Sequence, residues 1–385
     1  MTKIQQINQK YRFTRSDKTD INKVTQPHER FLGCLLGGAV GDALGAPVEF
    51  MNRVEIHRQF WTEGITHYAP AYGGLGTITD DTQMTLFTVD GLIRGWVRSC
   101  FRDNTSYPEV TAHAYLRWLK TQGIQPNCDI DESGWLFQQH QLHNSRAPGN
   151  TCLSALQAMN SLDKPANNNS KGCGGVMRVA PVGLFSWRLS QNESPQYAFR
   201  LGTELAALTH GHPTGSLTGG VLAALIQTLT DGASLHVALA TTKHILCQAS
   251  CHEETLGAIV MAEELALSGL PHEKAISRLG RGWIAEEALA ISIYCALVAH
   301  SFEHGVILAV NHDGDSDSTG SIAGNLLGTM HGIKAIPSKW LEPLELRDVI
   351  IELAEDLFAF KDWEIGENSD NEQLNERIWQ KYPGF

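Results

Sequence analysis

The chain has 385 residues, of which 42% are hydrophobic and 19% are charged, so it has a globular composition and is long enough to bury a large core. Its formal net charge of −12 disfavours nucleic acid and an anionic membrane as partners. Glycine is unusually frequent, with 36 residues. Because neither a collagen-like period nor a low-complexity tract accounts for this excess, it points to local roles in the fold.

The first part of the chain differs in charge from the rest. Residues 1–28 contain six basic and two acidic residues, a net charge of +4, which leaves −16 for the remaining chain. Such a basic arm on an acidic body is typical of either a partner-binding segment or a solvated, disordered tail. We therefore treat residues 1–29 as a basic N-terminal extension.

Signals for export, membrane insertion and zinc binding are weak. The N-terminal sequence MTKIQQINQK lacks the apolar segment of a signal peptide, and no apolar run approaches 18 residues. The eight cysteines are scattered and form no paired CxxC set. These features predict a cytoplasmic protein with reduced thiols and no membrane-spanning helix.

Helical periodicity dominates the sequence after the extension. Segments such as GTITDDTQMTLFTVDGLIRG and LRDVIIELAEDLFAF repeat apolar residues at helical spacing, whereas alternating strand patterns are rare. The sequence predicts an all-α fold with one compact domain over residues 30–365. The remaining tail, 366–385, is polar and acidic at first and then aromatic, and we expect it to pack back on the surface.

Two segments carry glycine at every fourth position. This spacing places the glycines on one face of a helix, although each costs about 1 kcal/mol relative to alanine. The absence of side chains on that face allows another backbone to approach closely. We therefore predict two central, tightly packed helices. Their glycines are Gly33, Gly37, Gly41 and Gly45 in the first segment, and Gly320, Gly324, Gly328 and Gly332 in the second.

The first acidic cluster lies at a predicted helix N-terminus. The run Thr79-Asp80-Asp81-Thr82 follows a glycine-rich loop and precedes the apolar-periodic segment MTLFTVDGLI. Threonine or aspartate at this position acts as a helix cap or as a ligand to a cation, and the cluster by itself leaves both interpretations open.

The second acidic cluster opens the second glycine-spaced segment, where Asp313, Asp315 and Asp317 lie within five residues. Such carboxylates repel one another unless a cation neutralises them. Ser318 and Gly324 occupy the positions at which an EF-hand needs glycine and glutamate, which excludes that motif. The aspartate-rich loop of haloacid-dehalogenase-type phosphatases is disfavoured because its surroundings here are helical. A simple surface loop is disfavoured by the apolar stretch that leads into it.

Three further features are suggestive without being specific. Pro47 ends the first glycine-spaced helix and leaves Glu49 in a loop beyond it. The glycine-rich run 172–178 has backbone N–H groups suited to holding phosphate. His210 follows a predicted helix, where histidine more often caps the end than binds a ligand.

Taken together, these segments resemble the ADP-ribosylglycohydrolase family of the dinitrogenase-reductase-activating type. The resemblance covers about residues 30–335 and rests on GCLLGGAVGDALGAPVEF, TITDDTQM, GCGGVMRVAPVGL, the Thr209-His210 pair, GRGWIAEEALA and GDSDSTGSIAGNLLG, in the family's order. It implies a compact orthogonal helical bundle with two divalent cations, Mg²⁺ or Mn²⁺.

The resemblance also assigns roles to individual residues. Thr319 competes with Ser318 as a hydroxyl ligand, and Asp313 stands where the family commonly has glycine. Glu49 matches a family glutamate that gates the site or contacts metal, and Asp80 and Glu49 are the candidate catalytic carboxylates. The implied metal ligands are Thr79, Asp80, Asp81, Asp315, Asp317 and Ser318. The implied ADP-ribose contacts are Gly174, Gly175 and Met177 at the phosphates and His210 near the ribose.

The implied activity is hydrolysis of the bond between ADP-ribose and a protein side chain, with arginine as the first hypothesis. In this hypothesis a metal-activated water attacks the ribose carbon while Asp80 or Glu49 acts as base. Two alternatives stay open, namely a hydrolase of free ADP-ribosyl compounds and a non-enzymatic binding protein on the same scaffold. The family resemblance further suggests an immunity protein whose basic arm, residues 1–28, enters the acidic cleft of an ADP-ribosyltransferase toxin.

Overall fold

The computed structural model describes residues 25–102, 105–189 and 195–384. Most of the basic extension predicted for residues 1–29 therefore lies outside the described residues. Pro27 begins the first helix, and the His28 imidazole lies 2.7 Å from the Glu355 carboxylate. Residues 27–29 thus belong to the helical body, while the domain boundary at residue 30 stays a prediction.

The described part of the chain contains seventeen α-helices and no strand, which confirms the predicted all-α class. Four short 3₁₀ turns, at His140–Leu142, Cys173–Gly175, Ile333–Ala335 and Phe360–Asp362, supplement them. The helices are α1 (Pro27–Gly45), α2 (Arg53–Phe60), α3 (Asp80–Phe101), α4 (Tyr107–Thr121), α5 (Asn150–Gln157), α6 (Ala180–Leu189), α7 (Pro195–Ala207), α8 (Pro213–Thr230), α9 (Leu235–Leu246), α10 (Glu253–Leu267), α11 (His272–Leu279), α12 (Ala285–Val298), α13 (Phe302–Val310), α14 (Ser316–His331), α15 (Ser338–Leu341), α16 (Arg347–Ala359) and α17 (Glu372–Lys381).

The two glycine-spaced helices, α1 and α14, form the centre of the molecule and pack directly against each other. Backbone meets backbone along this contact, so that a β-carbon at Gly324 would collide with the carbonyl oxygen of Gly37. The predicted close pair is therefore confirmed. Gly332 lies just beyond the helix, where it caps the end of α14 with φ of 74°, and its backbone still packs against Gly33.

Further helix pairs surround this centre. Helices α7 and α8 pack together, as do α3 and α4, and α10 packs against α12. Their apolar side chains join those of α1 and α14 in one continuous buried cluster. This arrangement brings the C-terminal end of α1 and the N-terminal ends of α3 and α14 to the same side of the core, where the acidic clusters meet.

The C-terminal segment packs back onto the helical body, as the sequence indicates. Tyr382 is fully buried after α17, and the Arg94 guanidinium donates to the carbonyl oxygen of Pro383. Arg98 donates to the carbonyl oxygen of Gly384 in the same way. Among the described helices, none has both the length and the apolar character needed to cross a bilayer.

Candidate active site

A cavity of about 450 Å³ opens where α1 ends and α3 and α14 begin. One part of its wall is acidic, and an adjoining part is formed by the glycine-rich 3₁₀ turn and the start of α5. The predicted site residues that line it are Glu49, Asp80, Asp81, Gly174, Met177, His210, Asp315, Asp317 and Ser318. Segments far apart in the sequence thus meet in one place.

The first acidic cluster begins α3, as predicted. Thr79 caps the helix, and its hydroxyl oxygen accepts a hydrogen bond from the Asp81 N–H at 3.3 Å. The Asp80 carboxylate accepts from the Gly149 N–H at 3.1 Å, which ties α3 to the loop before α5. One oxygen of Asp81 is buried and has no partner among the described residues. This cluster therefore both caps α3 and presents buried carboxylates that are suited to bind a cation.

A buried aspartate of α1 holds this helix start in place, although the sequence analysis gave it no role. The Asp42 carboxylate accepts hydrogen bonds from the N–H groups of Thr79 and Thr82 at 3.0 and 3.1 Å. It also accepts from the Thr82 hydroxyl. Asp42 is fully buried. The sequence feature that points to a role for Asp42 is its position as a charged residue inside the apolar, glycine-rich segment of α1.

The second acidic cluster lies opposite the first. Asp315 immediately precedes α14 and accepts a hydrogen bond from the Cys173 thiol, with Sγ and Oδ2 2.8 Å apart. Asp317, in the first turn, accepts from the Ser318 N–H at 3.0 Å. Asp315, Asp317 and Ser318 are buried, and Ser318 faces the cavity. Three oxygen-bearing side chains of this segment thus reach one space.

The structure separates two neighbours of this cluster from the cavity. The Thr319 hydroxyl donates to the carbonyl oxygens of Ala309 and Asp315 and lies 2.8 Å from the His312 imidazole, so it serves the packing of α14. Asp313 is exposed and accepts from the Arg53 N–H at the start of α2. Of the two candidate hydroxyls, only that of Ser318 reaches the cavity.

Glu49 completes the acidic wall from the loop after α1. Oxygens of Glu49, Asp315 and Asp317 lie within 4.8 Å of one another, which is close enough for a shared cation. Glu49 is only 5% exposed, and one of its oxygens has no partner among the described residues. Burial and the charges of Asp317 and Asp315 raise the pKa of Glu49 to about 11.

Burial and neighbouring negative charge also raise the pKa values of other carboxyl groups in the acidic wall. Burial, followed by the charge of Asp317, raises the pKa of Asp42 to about 7 and raises the pKa values of Asp80 and Asp81 well above their usual range. Buried carboxylates with unpartnered oxygens are favourable only when protonated or next to a cation. An all-oxygen donor set fits hard cations such as Mg²⁺ and Mn²⁺.

The adjoining part of the cavity wall is neutral and contains several glycines. Gly174 lies in the 3₁₀ turn, and the cavity also contacts Gly149 and Asn150 at the start of α5, which has no side-chain cap. The N–H groups at such a helix start attract anions. Gly175 does not line the cavity, contrary to the implied contact, because it packs behind the turn against the backbone of Gly215.

His210 lies at this neutral wall, close to Gly174, and a buried arginine stands behind it. The Arg178 guanidinium donates to the Thr209 hydroxyl at 2.7 Å, and Thr209 in turn contacts the His210 ring. Burial, followed by the charge of Arg178, lowers the pKa of His210 to about 3. The imidazole is therefore neutral at physiological pH and can donate or accept a hydrogen bond.

Two exposed aromatic side chains form the mouth of the cavity. The rings of Phe50 and Trp283 stack with centroids 5.8 Å apart and planes inclined by 21°. Phe50 follows Glu49 directly, and the Trp283 carbonyl oxygen accepts from the Cys173 N–H. The stack therefore joins the Glu49 loop to the glycine-rich turn across the opening.

Comparisons with known proteins agree with this geometry. A family model described as ADP-ribosylglycohydrolase matches residues 23–365. The chain is 27% identical to the ADP-ribosyl-[dinitrogen reductase] glycohydrolase of Rhodospirillum rubrum, over 83% of this chain and 92% of that protein. It is 24% identical to the ADP-ribosylarginine hydrolase Tri1 of Pseudomonas putida, over 86% and 79%, respectively. A solved ADP-ribosylglycohydrolase-related protein complex matches with a TM-score of 0.62 and 27% identity, covering 87% of this chain and 99% of that one.

Proposed function

The chain belongs to the ADP-ribosylglycohydrolase family, a family of hydrolases, and we propose that it uses divalent cations to release ADP-ribose from modified protein side chains. Arginine is the first linkage to test, because one relative is named as an ADP-ribosylarginine hydrolase. The main support for this proposal is that buried carboxylates meet at one cavity, and that Glu49 and Asp81 each have an oxygen with no partner among the described residues. A cytoplasmic location stays a prediction.

The two acidic clusters are suited to hold the cations. Two hard cations, Mg²⁺ or Mn²⁺, when bound, neutralise the carboxylates and supply Lewis-acid chemistry at the ribose hydroxyls. The Asp42 carboxylate orients the first cluster through the N–H groups of Thr79 and Thr82. The residues that would hold the cations are Thr79, Asp80, Asp81, Asp315, Asp317 and Ser318.

Glu49 and Asp80 are the candidate bases for the attacking water. Cleavage of the glycosidic bond builds positive charge on the ribose ring, which neighbouring carboxylates stabilise, and the base accepts a proton from the water. Asp80 is already hydrogen-bonded to the Gly149 N–H, whereas one Glu49 oxygen lacks a partner. This difference favours Asp80 as a ligand and Glu49 as the proton acceptor, a role that requires bound cations to lower the pKa of Glu49.

The neutral wall is suited to the ADP-ribose phosphates. We place them between the turn around Gly174 and the start of α5, because both line the cavity and the N–H groups at a helix start attract anions. Met177 supplies an apolar contact beside this turn, and His210, neutral at physiological pH, is placed to hydrogen-bond a ribose hydroxyl.

The proposed activity is tested by incubating the purified chain with arginine-modified and serine-modified proteins. Release of ADP-ribose, followed by mass spectrometry, should require Mg²⁺ or Mn²⁺ and should stop with EDTA. Free ADP-ribosyl compounds form a third arm of the experiment. Turnover of these compounds alone would replace the protein substrate with a small one, and no release in any arm would reject the proposed activity.

A second candidate function is suggested by charge alone. Residues 1–28 carry a net charge of +4, opposite in sign to the rest of the chain, and are suited to an acidic protein cleft such as that of an ADP-ribosyltransferase toxin. An immunity protein would then block the toxin as well as reverse its modification. Deleting residues 1–24 should abolish toxin binding and leave hydrolysis intact. Unchanged binding would reject this role for the arm.

A further inference from the structure

A thiol stands among the oxygen donors of the second acidic cluster. Cys173 lines the cavity, and its Sγ lies 2.8 Å from Oδ2 of Asp315 and 3.6 Å from Oγ of Ser318. For metal–oxygen distances of about 2.1 Å and metal–sulfur distances of about 2.3 Å, neighbouring donors on one ion lie roughly 3.1–3.6 Å apart. The distance from Sγ to the Ser318 oxygen falls at the upper end of this range, and the distance to the Asp315 oxygen, now a hydrogen bond, is slightly shorter than the range.

A second observation supports cation binding in this part of the cavity. Glu49 and Asp81 line the same cavity, are 5% and 2% exposed, and each has an oxygen with no partner among the described residues. In their ionised form these carboxylates need positive charge in the cavity. Sulfur is a soft donor that adds little for Mg²⁺ and much for thiophilic dications.

We propose that Cys173 is an additional metal ligand beside Asp315 and Ser318, which gives the site affinity for thiophilic dications such as Co²⁺, Zn²⁺ and Cd²⁺ besides the hard cations. When such an ion binds, the S–H bond breaks, a metal–sulfur bond forms, and the proton passes to the buffer. The inference builds on the cation site of the proposed function and concerns the selectivity of that site.

The test is a Co²⁺ titration of the full chain, monitored by the near-ultraviolet charge-transfer band of a cobalt–sulfur bond. All variants carry Cys247→Ser and Cys251→Ser, because these two cysteines are exposed and four residues apart. We expect the band in this background and its loss in Cys173→Ser. Cd²⁺ affinity, measured by calorimetry, should fall at least tenfold in Cys173→Ser, whereas Mg²⁺ affinity should change less than twofold.

Cys152→Ser is the matched control. Cys152 also lines the cavity, but its sulfur lies 3.4 Å from the Arg178 guanidinium, so this variant should retain the band and the Cd²⁺ affinity. Absence of the band in the background protein, in which Cys173 is unchanged, would overturn the proposal. Equal Cd²⁺ affinity with and without the Cys173 thiol would do the same.

The outcomes separate this inference from the proposed hydrolase function. Mg²⁺-dependent release of ADP-ribose without a cobalt–sulfur band would reject the thiol ligand alone. A band in a protein that releases no ADP-ribose from any substrate would support the thiol ligand and reject the hydrolase.

Discussion

A β-carbon placed on Gly320 would lie 2.5 Å from the carbonyl oxygen of Gly41, so the backbones of α14 and α1 touch at this point. The contact lies one helical turn from the cavity, because α1 ends at Gly45 and α14 begins at Ser316. Close packing of the two helices therefore sets the distance between the Glu49 loop and the second acidic cluster.

Gly320→Ala should destabilise the protein by about 3 kcal/mol or more, because neither backbone can move away from the added methyl group. The control is Gly257→Ala on α10, where a β-carbon meets nothing within 4 Å. This exposed helical position should gain about 0.5–1 kcal/mol. Urea unfolding measures the free energy of unfolding of both variants. An unchanged value in Gly320→Ala would contradict the close packing.

Asp81→Asn and Asp317→Asn should each lower metal-dependent turnover by at least about a hundredfold, because each removes a proposed cation ligand. Without cations the same variants should unfold at a higher temperature than the parent, since each removes one repelling charge from the buried wall. Asp313→Asn is the control, because its side chain lies outside the cavity. Full turnover in Asp81→Asn would reject that ligand assignment.

Stability without divalent cations should fall as the pH rises from 7 to 9. Unfolded glutamate is ionised throughout this range, whereas burial and nearby carboxylates raise the pKa of Glu49 to about 11 in the folded state. The folded state therefore holds more protons than the unfolded state. Each such group lowers the free energy of unfolding by about 1.4 kcal/mol per pH unit until the pH passes its folded-state pKa.

Saturating Mg²⁺ should flatten this dependence, because the cation takes over the role of the proton at the acidic wall. Melting temperatures in EDTA and in Mg²⁺ at each pH measure the effect. The difference between the two series removes contributions from groups away from the site, such as buried cysteines. Parallel curves with and without Mg²⁺ would argue against cation binding at these carboxylates.

Trp283→Ala should lower kcat/KM about tenfold, because loss of the stack with Phe50 frees the loop that carries Glu49. Trp283→Phe should retain most of the activity, since a phenyl ring can still stack. Trp61→Ala removes a tryptophan that is 83% exposed and does not line the cavity, and it should have no effect. A steeper loss in Trp283→Phe than in Trp283→Ala would exclude stacking as the cause.

Much of the site could be predicted from local sequence patterns. The start of α3 at Asp80 follows from the Thr79 cap, and the start of α14 at Ser316 follows from helical periodicity, since Asp315 makes no side-chain cap hydrogen bond. Ser318 and Thr319 show the limit of such patterns. Adjacent helical residues point about 100° apart, so only the packing of α14 decides that Ser318 faces the cavity and Thr319 faces the core.

The sequence by itself determined the all-α class, the two glycine-spaced helices and the acidic clusters, because these depend on neighbours within a few residues. The tertiary structure alone decided which groups share the cavity. It turned Asp313 outward, placed Gly175 behind the turn, made Asp42 the anchor of α3 and brought Cys173 beside Asp315. These outcomes depend on how α1, α3 and α14 are placed around the cavity, and the glycine spacing, which predicts only that α1 and α14 pack closely, does not specify that placement.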